Sequence, residues 1–246
     1  MPPGRQNGDF MLAVFKKEMH SYFTSVIGYV FLVIYLALGG ALFCLTTLFS
    51  MTADVTDFYN YMILASAILL PLLTMKSFSE ERKIKTEQLL LTAPVSIIGM
   101  VMGKFLAAYA IFAGCMILNS LYFLVLNYYA VLKFAILFGN VVAILLVGMM
   151  FISIGLFVSS LTENQLAAAI GTIAIIIAFL LVGVLSSLFP SSHWFRMYVL
   201  NFISVLSRYQ GFANGYFDIS SLVYYISVSG IFLYLTVRIY DRRRSD

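Results

Sequence analysis

The sequence predicts an all-α integral membrane protein with six transmembrane helices, and three observations carry that reading. Hydrophobic residues make up 62% of the 246 positions and charged residues 11%, whereas a soluble domain is about half apolar and about a quarter charged. The mean hydropathy is +0.97. The apolar residues also fall into continuous stretches near the length a bilayer crossing needs, about 20 residues for a hydrocarbon core about 30 Å thick. A membrane β-barrel would instead alternate apolar and polar residues along each strand, and runs such as Ile173 to Val184 do not alternate.

Taken in order, Met1 to Asp9 is a polar tail, and no small-residue cleavage site follows the first apolar run, so no cleaved signal peptide is expected. Phe10 to Phe23 places Met11, Leu12, Phe15, Met19, Tyr22 and Phe23 on one helical face, with Lys16, Lys17 and His20 mostly opposite. That pattern predicts a helix lying in the membrane interface. The six apolar stretches are Val26 to Phe49, Phe58 to Met75, Ile97 to Leu126, Phe134 to Ser159, Leu166 to Phe189 and Leu222 to Tyr240. The third is long enough to tilt or to project from the bilayer.

Two connecting segments exceed a turn. Residues 76–96 are charged, while residues 190–221 hold the single Trp together with His193, Phe195, Tyr198 and Tyr209. Aromatic side chains with polar edges favour the interface, so the second segment is predicted to form short helices on the outer surface. Cys44 and Cys115 lie in apolar runs and predict free, buried thiols.

Lys and Arg collect on the cytoplasmic side of membrane proteins. With the N-terminus inside, 12 of the 15 basic residues fall on that side, and only Lys133, Arg196 and Arg208 fall outside. Both termini are therefore expected in the cytoplasm. The formal charge of +4 forms no compact basic patch, so no nucleic-acid partner is expected.

Several chemistries are disfavoured. A phosphate-cradling loop requires G-x-x-x-x-G-K-[ST], but Gly99 to Phe105 is one residue short and has Phe105 where Ser or Thr would hold magnesium. Gly99, Gly103 and Ala107 read better as a small-residue face for close helix packing or, failing that, a subunit interface. Ion-coupled carriers and channels normally bury ionisable groups in their spans, whereas every acidic residue here falls in a tail, loop or span edge. Asn119 and Asn140 read as helix cross-links. An intramembrane protease lacks its parts too, because His20 and His193 are the only histidines and both lie outside the spans. Catalytic, cofactor-binding and metal-binding residues are accordingly none.

The most informative stretch is Ser77 to Val95. Ser77 and Glu80 match a capping box, Glu80 and Glu81 suit a helix N-terminus, Leu89 to Leu91 form an apolar block, and Pro94 ends the helix. A short helix, charged in front and apolar behind, is predicted in this loop.

Glu80-Glu81-Arg82, Thr86-Glu87, Leu89 to Val95 and Gly103-Lys104 resemble the signature of ABC-2 type permeases, the membrane subunits of a class of ABC transporters, and most of all the gliding-motility-associated (GldF-like) permease subunits. Ser159 to Gln165, and Phe212 to Gly215 followed by Asp218, extend the likeness over nearly the whole chain. Lys85 departs from it, since many members carry Gly there. The resemblance implies one ABC-2 transmembrane domain over residues 1–246 in a prokaryotic cell membrane. It also implies a pair of ATPase subunits that bind the ATP and magnesium, and a second membrane subunit, either a different GldG-like chain or another copy. Glu80, Glu81, Arg82, Thr86, Glu87 and Leu90 are the residues expected to contact the ATPase. Exchanging Glu81 and Glu87 for Lys is expected to uncouple the two without unfolding the permease, within about 0.5 kcal/mol of its own stability. The alternative is an ATP-independent carrier or channel.

Overall fold

The computed structural model describes residues 3–52, 54–86, 96–126, 134–188, 203–213, 215–216 and 218–245. Among the described residues there are helices and no strands: α1 (Pro3–Thr24), α2 (Val26–Phe43) with a π-helical turn (Cys44–Leu48), α3 (Thr56–Thr74), α4 (Lys76–Lys83), α5 (Ile97–Leu126), α6 (Phe134–Leu161), α7 (Gln165–Leu188), α8 (Val205–Ala213) and α9 (Ile219–Ser245). Six of these stretches are long and apolar enough to cross a membrane, and they coincide with the six predicted ones.

Local chemistry sets the helix ends. Ser25 caps α2 by accepting from the Gly28 amide at 3.2 Å. A side chain at Gly28 would meet the Tyr22 carbonyl, which keeps the bend between α1 and α2 tight. The π turn closes α2 with an i−5 bond, the Phe49 amide to the Cys44 carbonyl at 2.9 Å. Asn164 caps α7 by accepting from the Leu166 amide at 3.0 Å. Asp218 caps α9, accepting from the Ser220 amide at 3.0 Å and the Ser221 hydroxyl at 2.6 Å. The Ser221 hydrogen bond holds the exposed Asp218 carboxyl below its ordinary pKa, against a slight opposing effect of burial. At its far end α9 runs beyond the predicted boundary through Arg242, Arg243 and Arg244, where positive charge suits the negative end of the helix dipole.

The central helix is α6, fully buried from Ile144 through Leu156 at most positions and flanked by α3, α5, α7, α8 and α9. With no water to drive helices together inside a bilayer, close packing depends on small residues, and α6 supplies them. A methyl at Gly139 would meet the Phe212 carbonyl of α8, and one at Gly155 would meet the Thr74 hydroxyl of α3.

Helix α8 is one of the short helices expected before the last span, and it packs one face onto the end of the bundle, with Val205, Tyr209, Phe212 and Ala213 buried. Tyr225 donates to the Val205 carbonyl at 2.8 Å, and Tyr209 donates to Oδ1 of Asn140. Tyr209 is thus a buried cross-link and not an interfacial aromatic, because Asn140 offers its hydroxyl a partner that the bilayer edge would otherwise supply. Asn140 also donates to the Ile136 carbonyl one turn back in α6 at 2.8 Å, and the bond it accepts from Tyr209 of α8 is the cross-linking role read from the sequence. Asn119 differs: fully buried beside Gly39, its amide has no hydrogen-bond partner among the described residues. The segment with His193, Trp194, Phe195 and Tyr198 lies outside the described residues.

The predicted capping box at Ser77 does not form. The Met75 backbone stays helical, so α4 continues from α3 and Ser77 sits inside it with no cap to make. Helix α4 ends at Lys83, with Lys85 in the left-handed region at φ 59°. Such a backbone favours glycine, the residue the family resemblance places there. Replacing Lys85 with Gly should raise stability by about 0.5–1 kcal/mol, read as a higher melting midpoint of the purified protein.

Candidate functional site

Antiparallel packing brings one end of α2, α3, α5, α6, α7 and α9 together with α1 and α4, and most of the basic residues gather there. At the centre of this basic end is Lys104. Eight positions inside α5 and only 2% exposed, it donates to Glu18 of α1 at 2.8 Å and to the Ser77 carbonyl of α4 at 2.8 Å, and it pairs with Glu81 of α4 at 3.0 Å. Its ammonium also stands 5.1 Å from the centre of the Phe78 ring.

Lys17 closes the cluster from the surface with a 2.9 Å bond to Glu81. Partial burial alone would lower the Lys17 pKa, but the hydrogen bond and charge of Glu81, helped by Glu18, outweigh it and hold the pKa above its ordinary value. Two lysines face two carboxylates, so the cluster is neutral. A buried charge is tolerated only when paired and hydrogen-bonded, and each helix here supplies part of that condition.

Local sequence places these groups. Val14 and Glu18 are buried on α1, one turn apart, and Tyr22 continues the stripe. They lie on α5 where Gly103 leaves room, since a side chain there would strike Val14 and the Met11 carbonyl. Gly103 therefore serves packing within the chain, against α1, and Gly99 and Ala107 of the same small-residue face are buried. The interfacial helix read from the sequence is present, with Met11, Phe15, Met19 and Tyr22 turned partly inward, while Leu12 and Phe23 are exposed.

The other side of α4 is clasped to α6 and α9. The Ser159 hydroxyl accepts from the amides of Phe78 and Ser79, both at 3.1 Å, and donates to the Met75 carbonyl at 3.0 Å. Arg82 pairs with Glu163 at 3.1 Å and donates to the Leu161 carbonyl at 2.9 Å, and Arg243 donates to the Ser160 carbonyl at 2.7 Å. Phe78 packs against Tyr240 with ring centres 5.0 Å apart.

Of the residues singled out from the sequence, Glu80 is half-exposed in a 3.6 Å pair with Lys76. Thr86 is partly buried and donates to the Glu81 carbonyl at 3.3 Å. Glu81 and Arg82 are engaged within the chain, as described above. Glu87 and Leu90 lie outside the described residues. Glu81 is not an exposed charge, so the expectation that its reversal would leave stability within about 0.5 kcal/mol is corrected: its side chain is 14% exposed and bound by two lysines.

Sequence reasoning missed Glu18 and Lys104 as partners. The signals were a carboxylate in register with Val14 and Tyr22, and a lysine inside a long apolar run, the kind of residue that calls for a named counter-charge.

A six-span helical membrane protein with a short helix clasped between its spans at the basic end is the class this architecture defines. The model of the ABC-2 family transporter protein matches residues 12–237, and the chain belongs to that family. No curated protein matches the chain. The resemblance read from the residues around α4 holds at the level of the ABC-2 family, whose membrane subunits associate with ABC ATPases.

Proposed function

We propose that the chain is the permease subunit of an ATP-driven exporter, with its basic end in the cytoplasm and α4 as the element through which separate ATPase subunits act. The observation that carries this reading is the clasping of α4 on both sides. Glu81 ties it to α5 and α1, while Ser159 and the Arg82 pair with Glu163 tie it to α6 and the turn that leads into α7. Force applied to α4 is therefore delivered to several spans at once.

Glu80, Lys83, Ile84 and Lys85 are left facing outward, and Ile84 is an exposed apolar side chain at the helix end. A mixed charged and apolar surface of this kind suits a protein partner. ATP and magnesium belong to the ATPase in this scheme, and the permease itself hydrolyses nothing. The full length would form one ABC-2 transmembrane domain in a prokaryotic cell membrane, with a GldG-like chain or a second copy as the other membrane half. The GldF-like motifs quoted above support a gliding-type system.

The test is Glu80→Lys. Its pair with Lys76 is exposed and contributes about 0.5 kcal/mol or less, so membrane level and melting midpoint should stay near wild type. Recovery of the ATPase on the purified permease should fall severalfold, since reversing a charge at a docking surface sets like charges together. Unchanged ATPase recovery and coupled hydrolysis would remove α4 as the coupling element, and an active external reporter fused to Asp246 would overturn the orientation.

A further inference from the structure

Between α1, the start of α2, the end of α3 and α4 lies a partly enclosed cavity of about 440 Å³, within the size of small-ligand sites, about 300–1,000 Å³. Leu73, Ile27 and Tyr22 make its apolar wall. On the same two spans Leu72 and Val30 are exposed apolar side chains. The polar wall holds Lys17, Lys76, Glu80 and Ser77.

Ser77 is the telling residue. It is 6% exposed, and its hydroxyl is buried with no hydrogen-bond partner among the described residues. Helical hydroxyls elsewhere in the chain turn back onto the carbonyl four residues earlier, as Thr74 does onto Leu70 at 3.0 Å and Thr172 onto Ala168 at 2.7 Å. Ser77 lines the cavity and its buried hydroxyl makes no such bond, and an unsatisfied buried hydroxyl is costly unless something else meets it.

The charges define what can meet it. The lining carries Lys17, Lys76 and Lys104 against Glu18, Glu80 and Glu81, so it is neutral overall. Lys104, Glu18 and Glu81 satisfy one another, whereas Lys76 and Glu80 are 3.6 Å apart, longer than a hydrogen bond, and both are partly exposed. On α4, the Lys76, Glu80 and Ser77 side chains are thus the lining groups without a short hydrogen bond, beside an apolar wall at the end of the spans.

We infer that this cavity holds the headgroup of a zwitterionic phospholipid with a primary amine. Its phosphate accepts from Ser77 and Lys76, its ammonium donates to Glu80, and its glycerol and first methylenes lie along Leu73 and Ile27. A primary ammonium brings three donors for the carboxylate, which a quaternary amine lacks, and an anionic headgroup would leave Glu80 facing negative charge. The inference rests on the six-span fold; it shares Glu80 with the proposed docking surface, so its test varies only Ser77 and Lys76, and its failure leaves the coupling reading untouched.

The test uses the purified full chain in detergent, with native mass spectrometry and thermal unfolding in the presence of phosphatidylethanolamine, phosphatidylglycerol, phosphatidylcholine or soluble phosphoethanolamine. Phosphatidylethanolamine should bind one to one and raise the melting midpoint most. Ser77→Ala and Lys76→Ala should each weaken it about tenfold. Without lipid Ser77→Ala should be no less stable than wild type, because it removes an unsatisfied group. Equal binding of phosphatidylglycerol or phosphatidylcholine would overturn the headgroup assignment, and equally tight binding of phosphoethanolamine would overturn the lipid. Variants that bind phosphatidylethanolamine like wild type would overturn the site.

Discussion

Glu81→Lys should unfold the basic end of the protein. In the wild type the Glu81 carboxylate lies 2.9 Å from the Lys17 ammonium and 3.0 Å from that of Lys104, which is 2% exposed. Removing one partner of a buried pair costs about 3–5 kcal/mol because the remaining charge is left without compensation. Reversal is worse, since three lysines would then share Glu18 alone. Lys104→Ala should fall in the same range of about 3–5 kcal/mol, leaving Glu18 and Glu81 facing each other with only the exposed Lys17 between them. Both variants should show low membrane yield and a sharply lower melting midpoint in detergent. The exchange Glu81→Lys with Lys104→Glu restores neutrality and should recover part of the loss. A Glu81→Lys protein that melts with wild type would mean that the cluster does not hold α4 in place. The contrast with Glu80→Lys is the useful one: adjacent acids in one motif are expected to report on stability and on partner binding separately.

The number of spans was legible because a bilayer crossing imposes length and composition on contiguous residues, and the exact match of Ile97–Leu126 to the third apolar stretch shows the same for its limits. The presence of α1 was legible for a related reason, a one-sided apolar stripe. What periodicity could not show was which charged groups meet across helices. Glu18 and Lys104 are 86 positions apart, and only the close approach of α1 at Gly103 makes them neighbours. The same limit explains Glu81: a run of Glu, Glu and Arg looks solvent-facing in one dimension, but on α4 successive residues point about 100° apart. Glu80 turns outward, Glu81 toward Lys104 and Arg82 toward Glu163. The motif around Ser159 was read as a family likeness, and its physical meaning emerged only with the fold, as a hydroxyl that closes the junction of α3 and α4. Lys85 shows the reverse case, where the departure from the expected Gly pointed to a position just after α4 whose backbone is left-handed.

Gly148→Ala should be the most damaging methyl that can be added to the centre of the bundle. The added carbon would collide with Cε1 of Phe112 and stand 2.5 Å from Cζ and 2.7 Å from Cδ1, so either the ring or α6 has to move. The ring has little freedom. Phe112 is fully buried and meets Tyr35 edge to face at 5.9 Å, and Tyr35 is fixed in turn by its hydroxyl, 2.8 Å from Ser66 and 2.9 Å from the Met116 sulfur. Displacement of α6 is no easier, because Gly139 and Gly155 of the same helix already touch α8 and α3. Overpacking of this kind costs about 1–3 kcal/mol and occasionally more, and this site belongs at the upper end because neighbouring helices block both routes of relief. Phe112→Leu removes the colliding ring atoms, so Gly148→Ala with Phe112→Leu should be less destabilised than the sum of the two single variants, by about 0.5–3 kcal/mol of coupling. Thermal unfolding of the four proteins in detergent measures this directly. Additive losses, or a Gly148→Ala midpoint equal to wild type, would show that α5 and α6 are not in contact at this point.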